Sequence, residues 1–248
     1  MTPSIPAYLA TFESWMSPMV VAIAVALVWI GAARMGGSAA SRYATAGILS
    51  LILIGWWAVA RHFGAANVYF AGGRTGPALF LALVAPLLVA GLGLRFAKSA
   101  ARLVAAIPLH WLVAAQVYRV AGIIFLVLLA DGRLPWQFAL PAGLGDVATG
   151  IVAVVLAVNL ARGAPGAGRS LYGWSLFGIA DLIVAVVMGA TTSPGQIHLF
   201  AFDDPNLLAS SFPLVMIPTF AVPLALILHG LVVARLPRLR DARAVPAT

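Results

Sequence analysis

Cysteine is absent from the 248 residues. That excludes disulfides, thiolate metal sites, cysteine nucleophiles and thiol redox chemistry. Charge is scarce: 9% of residues are Asp, Glu, Lys or Arg, against roughly 25% in a soluble domain. Lysine occurs once, as Lys98, in a loop between apolar runs. A retinal protein needs a Schiff-base lysine in its last helix, so that seven-helix chemistry is excluded. Soluble-enzyme motifs are missing as well. There is no phosphate-binding loop, no Gly-rich dinucleotide fingerprint, no Gly-x-Ser-x-Gly elbow and no His-Glu-x-x-His.

What is present is apolar surface. Hydrophobic residues make up 62% of the chain, too many for a water-soluble fold of this size to cover. The lipid bilayer is therefore the expected solvent for most of the chain. The formal charge of +8 does not signal nucleic acid, because the basic residues are scattered between apolar runs. That interleaving is what the positive-inside rule produces.

A crossing of ~30 Å of hydrocarbon needs about 20 residues. Seven runs qualify: Pro18–Ala33, Ala44–Ala60, Pro77–Leu94, Leu103–Ala130, Phe138–Ala161, Leu171–Ala190 and Leu207–Ala234. The predicted fold is all-α: one polytopic bundle of seven helices over residues 1–248. An external segment over 1–17 precedes the first span, and a basic cytoplasmic tail over 235–248 follows the last. Alternate loops hold Arg34, Arg42, Arg95, Lys98, Arg102, Arg162, Arg169, Arg235, Arg238, Arg240 and Arg243, eleven of the fifteen basic residues. The other side holds Arg61, Arg74 and Arg133. This bias predicts an external N-terminus and a cytoplasmic C-terminus. The first span lacks a basic leader and is expected to remain in the mature protein.

Three charges fall inside spans: Arg119, Asp146 and Asp181. At 1.5 Å per residue they lie roughly 16, 12 and 14 Å from the external ends of their helices. Small residues at helical spacing flank each, including Gly122, Gly143 and Gly178, so the charges are expected to face other helices. The predicted site is an Arg119–Asp146–Asp181 cluster with Gln116 and Thr149 as hydrogen-bonding neighbours. Two carboxylates on one guanidinium leave it formally −1, which suits proton uptake and release. A structural role, fixing helix register, is the competing expectation.

Three weaker constellations follow. His110 and His229 are depth-matched and would be the axial ligands of a b-type haem. His62, His198, Asp203 and Asp204 would meet across loops around a divalent metal. Ser210, Ser211, Pro213, Pro218, Thr219 and Pro223 make the last span unusual. Prolines there free carbonyls that either line a ligand cavity or kink the helix.

Two stretches are familiar. Leu134-Pro135-Trp136-Gln137-Phe138-Ala139-Leu140-Pro141-Ala142-Gly143 runs on to Gly145-Asp146. Phe212-Pro213-Leu214-Val215-Met216-Ile217-Pro218-Thr219-Phe220 runs on through Pro223 to His229. They resemble a family of uncharacterised bacterial multi-pass membrane proteins. The resemblance covers the half from Gln116 onward and implies a bacterial inner-membrane setting. It brings no activity, cofactor or binding residue. The leading functional expectation is small-molecule or proton-coupled transport using the buried Arg119–Asp146–Asp181 cluster. A haem or metal redox protein, and a sensor or assembly subunit, are the alternatives.

Overall fold

The protein is described by a computed structural model over residues 4–164 and 167–236. The described residues are all-α apart from one short hairpin. Helices α1 (Ala7–Arg34) and α2 (Ala39–Ala65) lead into strands β1 (Phe70–Ala71) and β2 (Arg74–Thr75). Then come α3 (Pro77–Phe96), α4 (Lys98–Ala106) and α5 (Leu109–Ala114). A 3₁₀ segment (Ala115–Gly122) joins α5 to α6 (Ile123–Ala130). Next are α7 (Trp136–Ala161) and α8 (Ala167–Thr192), and a π-helical turn (Ile217–Ala221) continues into α9 (Val222–Val233).

Local sequence explains the boundaries. Ser38 caps α2 by accepting from the Ser41 amide at 3.3 Å. Pro77 starts α3, where its missing N–H is not needed. Pro108 separates α4 from α5, because it can neither donate to Val104 nor fit against the preceding turn. Arg235 closes this break by donating to the Val104 and Ile107 carbonyls.

Among the described residues six helices are long and apolar enough to cross a membrane: Ala7–Arg34, Ala39–Ala65, Pro77–Phe96, Leu109–Ala130, Trp136–Ala161 and Arg169–Thr192. Large apolar side chains cover their outward faces; Leu51 is 72% and Phe96 73% exposed. The buried core lies among α1, the α5–α6 rod, α7 and α9, with Val20, Leu112, Leu128, Phe220 and Leu228 packed together.

Three predicted boundaries shift. The first helix begins at Ala7 rather than Pro18, and its added turns bury Leu9, Glu13, Met16 and Ser17. The fourth run divides: Leu103 belongs to α4, outside the long apolar rod. The seventh run, Leu207–Ala234, is not a full helix. Residues 207–216 are mostly turns, and the regular part, Ile217–Val233, is a shorter apolar helix. Pro213, Pro218 and Pro223 each lack the donor that would continue an α-helical ladder. Of the expected basic tail, residues 237–248, with Arg238, Arg240 and Arg243, lie outside the described residues.

The helices run alternately between two ends. At the hairpin end, the Thr75 amide donates to the Pro194 carbonyl at 2.7 Å, and Tyr8 donates to Asp131 at 2.6 Å. The other, basic end carries Arg34, Arg42, Arg95, Lys98 and Arg102.

Candidate functional site

The α5–α6 rod tightens to 3₁₀ geometry over Ala115–Gly122, and Arg119 sits in that stretch. Long 3₁₀ runs are uncommon and often mark strain or function. The Arg119 side chain is 2% exposed and all three of its nitrogens are engaged. Nε donates to Asp146 Oδ1 of α7 at 2.7 Å. Nη2 donates to Asp181 Oδ2 of α8. Nη1 lies 3.3 Å from the Gly178 carbonyl and 3.1 Å from His229 Nε2 of α9. One guanidinium thus ties four segments together.

A guanidinium has no acceptor. Its contact with His229 is favourable only if Nε2 accepts, which puts the ring proton on Nδ1. Nδ1 is buried with no hydrogen-bond partner among the described residues. The imidazole packs against Trp174, ring centroids 4.6 Å apart, and Trp174 donates to the Thr149 carbonyl at 3.0 Å.

Glycines make this convergence possible. A Cβ on Gly122 would collide with Asp146, one on Gly145 with the Asp181 carboxylate, and one on Gly178 with the His229 ring. The helices therefore approach with polar groups seated where side chains would otherwise stand.

Asp146 has a second exposure. It lines a crevice of about 350 Å³ between α3, α7, α8 and the turns before α9. Phe125, Phe138, Leu182 and Ile217 make the walls apolar, and Thr75, Gln196 and Ser210 line its hairpin-end portion. Thr75 and Ser210 hydroxyls bond each other at 2.7 Å. On its other side, Asp146 borders a void of about 20 Å³ shared with Arg119 and Tyr118, large enough for one water.

The structure brings Arg119, Asp146 and Asp181 together, but not with the expected neighbours. Gln116 turns away and donates to the Ala225 carbonyl at 3.0 Å. The Thr149 hydroxyl has no partner among the described residues. His229, read from sequence as a haem ligand, joins the cluster instead.

At Nε2 of His229 the haem pair does not fit. His229 Nε2 faces a guanidinium and the ring abuts Gly178, leaving no approach for iron at that nitrogen. His110 rests against Trp111, with centroids 5.6 Å apart. The metal set does not fit either. His198 lies on Phe202 and His62 against Phe63. Among the described residues no three His, Asp or Glu side chains gather in a ligating arrangement.

Side chains take several of the last segment's carbonyls. Pro223 cannot donate to the Thr219 carbonyl, and Trp56 of α2 donates to it instead at 3.1 Å. Tyr118 donates to the Ala221 carbonyl at 2.9 Å. Thr219 and Ser211 hydroxyls return to Val215 and Leu207 carbonyls, each at 2.8 Å. These groups brace α9, while Ser210 and Pro218 of the same segment line the crevice.

One buried pair was missed from sequence. Glu13 is 4% exposed and accepts from Arg61 and Ser17, both at 2.6 Å, while Trp57 donates to Ser17 at 2.9 Å. The run Glu13-x-x-x-Ser17 places both side chains on one helix face, which was the available signal.

The fold and this cluster define an all-α protein with, among the described residues, six helices long and apolar enough to cross a membrane and an ionic centre between helices. Residues 76–237 match the domain of unknown function DUF8737, and the chain belongs to that family. Arg119, Asp146, Asp181 and His229 all lie within the match, whereas Glu13, Trp56 and Arg61 precede it. No curated protein and no solved structure matches the chain.

Proposed function

We propose that the chain is a multi-pass protein of a bacterial inner membrane that carries protons at its buried Arg119–Asp146–Asp181 cluster, with a small, mostly apolar solute entering the crevice and not required for proton movement. In this reading α9 with its π turn makes the seventh crossing, the hairpin end faces outward and the basic end faces the cytoplasm. The distribution of basic residues supports that direction. The observation that carries the transport reading is the double exposure of Asp146, which pairs with Arg119 and also lines the crevice. The cluster holds two carboxylates and one guanidinium. The excess negative charge is available to a proton or to a cationic or hydrogen-donating group entering from the crevice.

Proton flux is the direct test. Purified protein in vesicles loaded with a pH-sensitive dye is expected to admit protons under an imposed potential. Asp146→Asn is expected to reduce flux to the level of protein-free vesicles. Wild-type flux equal to protein-free vesicles from mildly acidic to mildly basic pH refutes proton movement. An architectural role is the second reading, favoured by the complete bonding of Arg119. It predicts no flux and a loss of stability alone in cluster variants.

A further inference from the structure

A second cavity, separate from the crevice, lies toward the basic end. It measures about 610 Å³ and runs between α1, α2, α3, α4 and α9. Helix α3 packs on α4 and α9 and leaves this gap toward α2. Ile48, Ile52, Val89, Leu94 and Val104 are among its walls, and Thr45 and Ser99 mark its basic end. From Thr45 to Trp56 the groove extends about 16 Å along α2 at 1.5 Å per residue. That is the depth of one leaflet, half of the ~30 Å hydrocarbon core.

The charge at its mouth is of one sign. Arg42 stands one turn before Thr45 on the same face of α2. Lys98 lies between the lining residues Ala97 and Ser99, Arg95 follows the lining residue Leu94, and Arg102 is one turn beyond Ser99. None of these four has a carboxylate partner among the described residues. The chain carries no Asp or Glu from residue 14 to residue 130. Arg42 is half-buried; its Nη1 reaches the Met35 carbonyl at 3.4 Å, and its buried Nε has no partner.

We propose that this groove holds one anionic phospholipid of the leaflet at the basic end. Its acyl chain lies along Ile48, Ile52 and Val89, and its phosphate meets Arg42, Lys98 and Arg102. An apolar slot one leaflet deep, ending in unpaired cations, complements a lipid with a negative headgroup. It does not complement a soluble anion or a peptide.

Native mass spectrometry of the detergent-solubilised protein, titrated with phosphatidylglycerol or phosphatidylcholine, tests this. One phosphatidylglycerol is expected to be retained in preference to phosphatidylcholine. Each basic side chain near an anionic surface contributes roughly fivefold. Replacing Arg42, Lys98 and Arg102 by Gln is therefore expected to cut the preference by about 100-fold, toward parity. Gly93→Phe narrows the groove and leaves every charge in place; it is expected to lower retention of both lipids. Equal retention of both lipids by the wild type overturns the proposal. So does unchanged phosphatidylglycerol retention in Gly93→Phe, which would assign the attraction to the basic loops alone. Unchanged helical circular dichroism in each variant separates lost binding from lost fold. The outcome is independent of flux through the crevice.

Discussion

Replacing Arg119 by Leu removes two ion pairs and the Nη1 contacts to Gly178 and His229. The consequence is set less by the lost attraction than by what remains. Two carboxylates are left buried, side by side, without a cation. Breaking a buried pair by deleting one partner costs about 3–5 kcal/mol. The side chains of Asp181 and Asp146 are 7% and 14% exposed. Asp146 can recover hydration from the crevice it lines; Asp181 is not part of that lining. The expected loss is therefore about 3–5 kcal/mol in total rather than twice that. Arg119→Lys keeps the charge but replaces a fork with one nitrogen for two carboxylates, and is expected to lie between wild type and Leu. The decisive variant is the triple change Arg119→Leu, Asp146→Asn, Asp181→Asn. With no uncompensated charge it is expected to return to within about 2 kcal/mol of wild type. Reversible unfolding in mixed micelles, followed by circular dichroism, gives these differences. If Arg119→Leu costs under about 1 kcal/mol, or if the triple variant is as unstable as the sum of its parts, the buried-charge account is wrong.

Two further outcomes follow from close contacts. Trp56→Phe keeps the ring against Phe220 but withdraws the donor from the Thr219 carbonyl, and is expected to cost about 1 kcal/mol. In a Pro223→Ala background residue 223 regains its N–H, so the same change should be nearly neutral; an equal cost in both backgrounds in unfolding titrations would show that Trp56 does not serve the proline's carbonyl. Gly145→Ala sets a methyl group against the Asp181 carboxylate and is expected to cost about 1–3 kcal/mol through overpacking, whereas Gly91→Ala, with open space around it, should not destabilise. Equal melting shifts for the two would remove the claim that Gly145 makes room for the cluster.

Much of this architecture was legible before folding. Hydropathy and the rise of a helix located six long helices, because crossing length is a property of consecutive residues. The same arithmetic placed Arg119, Asp146 and Asp181 at one depth, and the flanking glycines indicated faces that pack closely. The azimuth of each side chain was harder to read. Gln116 and Arg119 are neighbours on one turn, yet one bonds Ala225 and the other bonds α7 and α8. Glu13 looked like a flank because it precedes an uncharged run; it is buried because α2 brings Arg61 to it.

The sequence by itself determined that apolar residues dominate, where the long helices run, and which three charges are too deep to face lipid alone. Tertiary structure decided the rest. It drew His229 to Arg119, set Asp146 against both its cation and a crevice, and gave the carbonyl that Pro223 cannot bond to Trp56. The physical reason is that depth follows from position along one helix. A hydrogen-bond partner depends on which other helix stands opposite, and at what rotation, and no single segment encodes that.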